Sequence, residues 1–183
     1  MGLDLVELVI RVEETFGVSI PDRDAAELNT PGKVTDYILS RVEQSHDPLS
    51  CLSQRAFYSL RREFIEQFSL ERQQFVLDVK FKEILPEERR DEVWKNIGSS
   101  LGVKKWPAIS GTSWLGGFFT PTVQSVKELT DYFVTNEPLI VKGKETAWSR
   151  AQVWDVLERV IKDETAVTDF SEDSRFVEDM HLD

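Results

Sequence analysis

Few side chains in this sequence could act as nucleophiles, bases or metal ligands, and they are scattered. The chain has two histidines, His46 and His181, and one cysteine, Cys51, which fit no spacing typical of zinc sites. A serine nucleophile needs a base placed to take its proton, and the sequence shows no such arrangement. The acid pairs Glu13-Glu14 and Glu87-Glu88 are neighbours, whose side chains point apart on a helix. The sequence therefore predicts no catalytic site, no metal site and no cofactor, and we expect a protein that is not an enzyme.

The acidic side chains are concentrated toward the two ends of the chain. Residues 1–48 and residues 146–183 each hold ten acidic and four basic side chains, and the formal net charge of the whole chain is −11. The stretch between them is close to neutral. This acidity argues against nucleic-acid binding, because phosphates require a basic surface. It favours a partner protein with a basic surface, toward which the charges would steer association.

The composition also bears on the cellular compartment. A single cysteine excludes an internal disulfide. No stretch has the length of a membrane span, and no segment has the features of a signal peptide. From the sequence we therefore expect a reduced, cytoplasmic protein without a membrane span.

Three segments carry apolar side chains at the three- and four-residue spacing that places them on one side of a helix. The stripes are Leu5, Leu8, Val9, Val12 and Phe16; Val34, Tyr37, Ile38 and Val42; and Val153, Trp154, Leu157, Val160 and Ile161. Gly17 is expected to end the first helix. Thr30 is the expected N-cap of the second, with Pro31 at its first helical position. Ser149 and Gln152 fit a capping box at the start of the third. The sequence thus predicts a helical bundle.

The two ends of the chain, joined in the order C-terminus then N-terminus, resemble one known motif. Residues 176–183 read F-V-E-D-M-H-L-D, and residues 2–9 read G-L-D-L-V-E-L-V. The joined string is similar to the segment F-x-x-D-L-x-x-D-S-L-D-x-V-E-L of acyl carrier proteins, whose serine carries 4′-phosphopantetheine through a phosphodiester. The matching position here is Gly2, flanked by Asp183 and Leu3. Glycine has no hydroxyl, so the resemblance implies a carrier-like domain that cannot be charged at the usual site.

The resemblance covers residues 1–44 and 147–183, with the two halves in swapped order. The matching segments are 154–161 for the first helix of the family, 165–174 for the following loop, 10–22 for the second helix and its exit, and 28–38 for the third and fourth helices. The resemblance therefore implies a circularly permuted acyl-carrier-like bundle. Such a core forms within one chain or between exchanged chains. We expect the intramolecular form, because its effective concentration is higher.

Residues 49–140 are predicted to form a second helical module, between linkers at 45–48 and 141–146. Its first helix would carry a stripe of Phe57, Leu60, Phe64 and Phe68. Residues 91–107 echo the end of the first helix of the chain, and residues 122–133 echo the helix that follows Thr30. This internal repeat indicates a second, more divergent carrier-like bundle. The predicted fold class of the whole chain is all-α.

Residues 110–121 are rich in glycine and aromatic side chains. Glycine disfavours a helix here. We expect Trp114, Phe118 and Phe119 to fill the core of the middle module. The alternative is an exposed apolar groove for a partner or an acyl chain.

The sequence as a whole predicts a non-catalytic acyl-carrier-like protein that acts as an acidic docking or scaffold protein, linked by resemblance to fatty-acid or polyketide-type metabolism. The residues expected to contact the partner are those on the outer side of the first helix: Leu3, Asp4, Val6, Glu7, Glu13 and Glu14. One alternative is a carrier, or a non-covalent binder, of an acyl or pantetheine group. A further alternative is an enzyme with a site between the two modules.

Overall fold

Helices account for most of the chain, as the apolar stripes predict. The computed structural model describes residues 3–45, 50–103, 105–110 and 121–182. The helices in these ranges are α1 (Leu3–Phe16), α2 (Asp22–Ala25), α3 (Pro31–Arg41), α4 (Leu52–Phe68), α5 (Phe81–Ile84), α6 (Arg90–Ser100), α7 (Val126–Asn136), α8 (Pro138–Lys142) and α9 (Arg150–Thr165), with a 3-10 turn at Glu87–Arg89. None of these helices combines the length and the apolar character that a membrane crossing requires.

The prediction of an all-α fold is wrong in one detail. Two short strands, β1 (Ala108–Ile109) and β2 (Thr122–Val123), pair in parallel with Ala108 opposite Thr122. The pairing buries Ile109 and Val123 side by side. Residues 111–120 lie outside the described residues, and so do the expected core side chains Trp114, Phe118 and Phe119. The fold class is therefore mostly helical, with a minimal sheet.

The predicted helix ends are confirmed where they depend on local chemistry. The Thr30 hydroxyl accepts a hydrogen bond from the Lys33 backbone N–H, and Pro31 occupies the first position of α3. Ser149 and Gln152 form both hydrogen bonds of a capping box at the start of α9. Gly17 ends α1 with a φ of +65°, a conformation in which a side chain is strained.

The chain divides into two compact units. Unit 1 comprises residues 1–51 and 142–183, and unit 2 comprises residues 52–141. In unit 1, α9 packs against both α1 and α3, so the last long helix completes a core that begins at the first. In unit 2, α4 packs against α6 and α7. Two segments that are distant in sequence therefore build unit 1.

The buried side of α9 differs from the predicted stripe at two residues, because Val156 is buried without having been predicted and Trp154 is not buried. Val153, Val156, Leu157, Val160 and Ile161 are all fully buried. Trp154, which the sequence placed in the core, is half-buried and lies at the edge of unit 1, where its ring contacts Phe170 at 6.3 Å between centroids. The helical period explains the difference, because position 154 falls at the margin of a stripe centred between Val153 and Val160.

Two backbone hydrogen bonds connect the two segments of unit 1. The Trp148 N–H donates to the carbonyl of Glu43 at 2.7 Å, and the Ser45 N–H donates to the carbonyl of Trp148 at 2.9 Å. The Trp148 ring is buried against Phe16, with 5.3 Å between centroids. On the same ring, the Lys142 ammonium lies 4.5 Å from the centroid. The residues that follow α3 are thus fixed to those that precede α9.

The core of unit 2 is aromatic. Phe64 contacts Phe75 and Phe81 at 5.0 and 5.6 Å between ring centroids, and Trp94 lies 4.9 Å from Phe81. The Trp94 indole donates to the carbonyl of Pro107 at 2.7 Å, which satisfies a buried polar group. Of the stripe predicted on α4, Leu60 and Phe64 are buried, whereas Phe57 and Phe68 are half-buried.

Candidate functional site

The sequence resemblance matches Gly2, beside Asp183 in the joined motif, to the position at which carrier proteins bear their prosthetic group. Gly2 and Asp183 lie outside the described residues, and Leu3 is the first residue of α1. The described site is therefore the surface of α1 and the space between α1 and the C-terminal segment, residues 166–182.

The outer side of α1 exposes apolar and acidic side chains together. Leu3, Val6 and Ile10 are 72, 37 and 50% exposed, and their spacing places them on one side of the helix. Glu7 and Glu14 lie along the same side and are exposed, as is Asp4 at its edge. This surface, which we call the α1 face, combines apolar area with negative charge, as expected for a docking surface.

Glu13 differs from the other acids of the predicted docking set. Its side chain is half-buried, and its carboxylate accepts a hydrogen bond of 2.6 Å from the Ile20 backbone N–H. Glu13 therefore holds the turn that leads from α1 to α2. The sequence pattern missed this role because the contact joins residues seven positions apart across a turn.

Arg11 ties α1 to α9. Its side chain is mostly buried, and its guanidinium approaches the carboxylates of Asp163 at 4.0 Å and Glu164 at 3.9 Å. These contacts lie at the C-terminal end of α9, so they pair a helix of the N-terminal segment with one of the C-terminal segment. The pairing fixes the orientation of the α1 face relative to the unit 1 core.

Beneath α1 lies a cavity of about 240 Å³, lined almost entirely by apolar side chains. The lining residues are Leu5, Leu8, Val9, Val12, Ile20, Ala25, Ala26, Leu28, Asn29, Val34, Leu157, Phe176 and Val177. An apolar cavity of about 150 Å³ in another protein takes up benzene, so the volume here suffices for a short apolar group. The sequence analysis did not predict this cavity, although most of its lining belongs to the apolar stripes.

The C-terminal segment forms part of the cavity wall. Phe176 is buried, and its backbone N–H donates to the carbonyl of Asn29 at 3.1 Å. The Leu182 N–H donates to the carbonyl of Phe176 at 2.9 Å, and Met180 and Leu182 are buried. These contacts place the segment against the loop that precedes α3. The cavity therefore exists because both parts of unit 1 meet.

Gly32 lies where the backbones of the two parts of unit 1 approach each other closely. Its N–H donates to the carbonyl of Glu172 at 2.8 Å. A Cβ atom at this position would lie 2.9 Å from the same oxygen, closer than real Cβ contacts allow. The requirement for glycine could not be read from the sequence, because Glu172 is remote in the chain.

A three-residue ion cluster reinforces this approach at the surface. The Arg150 guanidinium pairs with the carboxylates of Asp36 and Glu172. The hydrogen bonds to Asp36 and then to Glu172 raise the pKa of Arg150 above its usual value, so its charge is fixed at every accessible pH. The cluster connects α3, α9 and the C-terminal segment.

The described residues contain no group of three or more histidine, cysteine, aspartate or glutamate side chains placed to hold a metal ion. Cys51 is exposed with a free thiol.

Comparison with known proteins identifies the segment that carries α1. A family model described as a phosphopantetheine attachment site matches residues 3–38, which span α1, α2 and most of α3. Residues 3–38 are an acyl-carrier-like segment. The match includes the whole α1 face and much of the cavity lining.

Curated relatives agree with this assignment. The acyl-carrier-like segment is similar to the acyl carrier protein of Lactobacillus johnsonii, with 53% identity over 39 residues, which cover 21% of this chain and 49% of the relative. The mitochondrial acyl carrier protein of Neurospora crassa is 46% identical over 42 residues, covering 23 and 31%. The acyl carrier protein of Rubrobacter xylanophilus is 46% identical over 38 residues, covering 21 and 47%.

The chain thus spans about half, or less, of the length of these curated relatives. No solved structure matches the chain. The predicted cytoplasmic location stays a prediction, since the relatives include mitochondrial acyl carrier proteins.

Proposed function

We propose that unit 1 is a circularly permuted acyl-carrier-like domain that docks, without catalysis of its own, on a basic surface of a partner protein. The observation that carries the proposal is the α1 face, where exposed Leu3, Val6 and Ile10 alternate with exposed acids in an acyl-carrier-like segment. The acids would steer the encounter, and the apolar side chains would be desolvated in the contact.

The permuted arrangement is supported by the packing of residues 142–182. The α9 helix packs against α1 and α3, and the C-terminal segment lines the same cavity as α1. In the resemblance described in the sequence analysis, residues 154–161, within α9, correspond to the first helix of the family and residues 165–174 to the loop after it. In this proposal the domain is built from residues 1–44 and 147–183, and residues 49–140 are a second, divergent carrier-like module.

Charge reversal on the α1 face tests the docking proposal. Binding of the wild-type chain to partners from a source-cell extract is expected to weaken as the salt concentration rises, because salt screens exposed charges. The variant E7R/E14R is expected to lose this binding while its thermal unfolding stays nearly unchanged, since exposed single charges contribute little to stability. The matched control D169R/D173R changes the net charge equally at other exposed positions of unit 1. Equal binding by both variants would contradict the proposal.

The cavity favours a second candidate function, the binding of an acyl or pantetheine group. Its lining is apolar apart from Asn29, and it opens beside α1. An apolar chain in this space would be shielded from water, which favours binding in proportion to the area buried.

Cavity filling tests the second candidate. Val9 lines the cavity and Val18 does not. We expect V9F to weaken the binding of a free short-chain fatty acid, measured by calorimetry, at least tenfold, and V18F to leave it unchanged. Equal affinity in the wild type and V9F would exclude the cavity as the binding site.

Covalent attachment of phosphopantetheine is not expected at position 2, because the residue there is glycine, which has no hydroxyl. Incubation with coenzyme A and a phosphopantetheinyl transferase is expected to give no mass gain by mass spectrometry. A stoichiometric adduct on any serine would show that the chain is a carrier modified elsewhere.

A further inference from the structure

The outer side of α4, in unit 2, carries basic and aromatic side chains. Arg55, Tyr58, Arg61, Arg62 and Ile65 follow one another at three-, four- and seven-residue steps, which places them on the side opposite the buried Leu60 and Phe64. Tyr58 is exposed although it is a large aromatic residue. We call this surface the α4 face.

One arginine of the α4 face, Arg61, stacks on two aromatic rings. The guanidinium carbon of Arg61 lies 4.8 Å from the ring centroid of Tyr58 and 5.0 Å from that of Phe57. The Arg62 side chain is 70% exposed, with the Glu63 carboxylate 3.7 Å away. Glu66 is the acid at the margin of the face. A stacked guanidinium loses little freedom when it binds a carboxylate, so the surface is prepared for an acidic partner.

The α1 face has the complementary composition. Tyr58 and Arg62 of the α4 face are exposed and Arg55, Arg61 and Ile65 are half-buried, and the charge of this face is opposite to that of the α1 face. Glu7 and Glu14 stand seven residues apart, the same spacing as Arg55 and Arg62. Residues seven positions apart lie on the same side of a helix, because seven residues make almost two turns. The two acids of one helix can therefore face the two arginines of another, whether the helices run parallel or antiparallel.

The net charge is distributed unevenly between the two units, and this determines which surfaces of two copies repel each other. Residues 52–141 hold twelve basic and twelve acidic side chains, so the whole net charge of −11 belongs to unit 1. Two copies of unit 1 therefore repel each other. A contact between unit 1 of one copy and unit 2 of another avoids this repulsion, and it pairs the two complementary faces.

We propose that the α4 face docks the α1 face of a second copy of this chain, in a head-to-tail contact. The proposal rests on the proposed docking function of the α1 face and names a partner for it. Each copy offers one α1 face and one α4 face, so association pairs unlike faces of different copies. Two helix faces bury a small area, and the association is therefore weak and sensitive to salt.

The mass of the full-length chain in solution gives the first test. At low salt, sedimentation equilibrium is expected to show a mass that rises with concentration above the 21.1 kDa of one chain and returns to it at high salt. The variants E7R/E14R and R55E/R62E are each expected to remain monomeric. The control K82E/K95E changes two exposed lysines of unit 2 away from the α4 face and should associate like the wild type. Thermal unfolding by circular dichroism checks that every variant is folded.

Mixing the two monomeric variants gives the decisive test. E7R/E14R keeps an intact α4 face, and R55E/R62E keeps an intact α1 face. Their equimolar mixture should show a mass above that of one chain, because the intact α4 face of one variant meets the intact α1 face of the other, and the two reversed faces are again opposite in charge. A mixture that stays monomeric would overturn the proposal, and so would a wild-type chain that is monomeric at low salt. If E7R/E14R nonetheless loses its salt-sensitive binding to partners from the extract, the docking function of the α1 face stands and the head-to-tail contact alone is refuted.

Discussion

Thr15 is the one buried threonine of unit 1, among the described residues, whose hydroxyl has no hydrogen-bond partner. A buried, unsatisfied hydroxyl costs about 1–3 kcal/mol. The variant T15V removes that cost at nearly constant shape, so we expect the free energy of unfolding in urea to increase by about 1 kcal/mol. Thr35 provides the control, because its equally buried hydroxyl donates to the carbonyl of Pro31 at 3.0 Å. T35V should not increase the free energy of unfolding. An increase in T35V, or a decrease in T15V, would contradict this explanation.

The pH response of the C-terminal segment depends on Asp179. Hydrogen bonds from the Arg175 side chain and backbone hold the pKa of Asp179 below its usual value. A carboxyl group whose pKa is lower in the folded state stabilises the fold above its unfolded pKa of about 3.9. That contribution is lost as the pH falls through the lower, folded pKa. In an NMR titration we expect Asp179 to protonate below about pH 3.9 and R175A to move its midpoint upward. An unchanged midpoint in R175A would assign the shift to another group.

At the scale of the helices, α1 and α9 are both followed by a residue with a left-handed backbone conformation, glycine after α1 and alanine after α9. Gly17 after α1 has a φ of +65°, and Ala166 after α9 has a φ of +58°. The left-handed conformation costs a residue with a Cβ atom roughly 1–2 kcal/mol. We expect A166G to raise the unfolding free energy by about 1 kcal/mol and G17A to lower it by a similar amount, measured by chemical denaturation. The same sign for both substitutions would contradict the strain argument.

The helices also show what could be predicted from the sequence. Caps at Thr30 and Ser149 were predictable, because the donor and the acceptor lie three residues apart. The burial of α9 was predicted except at Trp154 and Val156, because a stripe fixes the direction of a helix face but not where the neighbouring surface ends. The requirement for Gly32, the turn contact of Glu13 and the cavity could not be predicted. Each depends on which distant segments meet, and no local pattern records that.

At the scale of the whole molecule, the proposed permutation predicts how the segments can be reconnected. If residues 147–183 and 1–44 form one domain, a rearranged chain that places the first of these segments before the second should fold alone. We expect it to show a helical circular dichroism spectrum and one cooperative thermal transition, because the contacts of α9 with α1 and α3 are retained. Including Gly32→Val in the rearranged chain should weaken or abolish the transition, since a side chain there collides with the carbonyl of Glu172. A rearranged chain without a cooperative transition would refute the two-segment domain.

The two-segment construction of unit 1 also sets the order of events during synthesis on the ribosome. Residues 52–141 leave the exit tunnel before α9 does, so unit 2 can complete its core while α1 and α3 still lack the helix against which they pack. While residues 52–141 are unfolded they form a long flexible connection between α1 and α9, and closing such a loop costs entropy. Once unit 2 has folded, the connection is compact, and the entropic cost of bringing α9 to α1 is smaller. Until then the apolar side of α1 stays open to chaperones. The nascent chain thus carries an unfinished acyl-carrier-like segment until α9 has been made, and only then can unit 1 close.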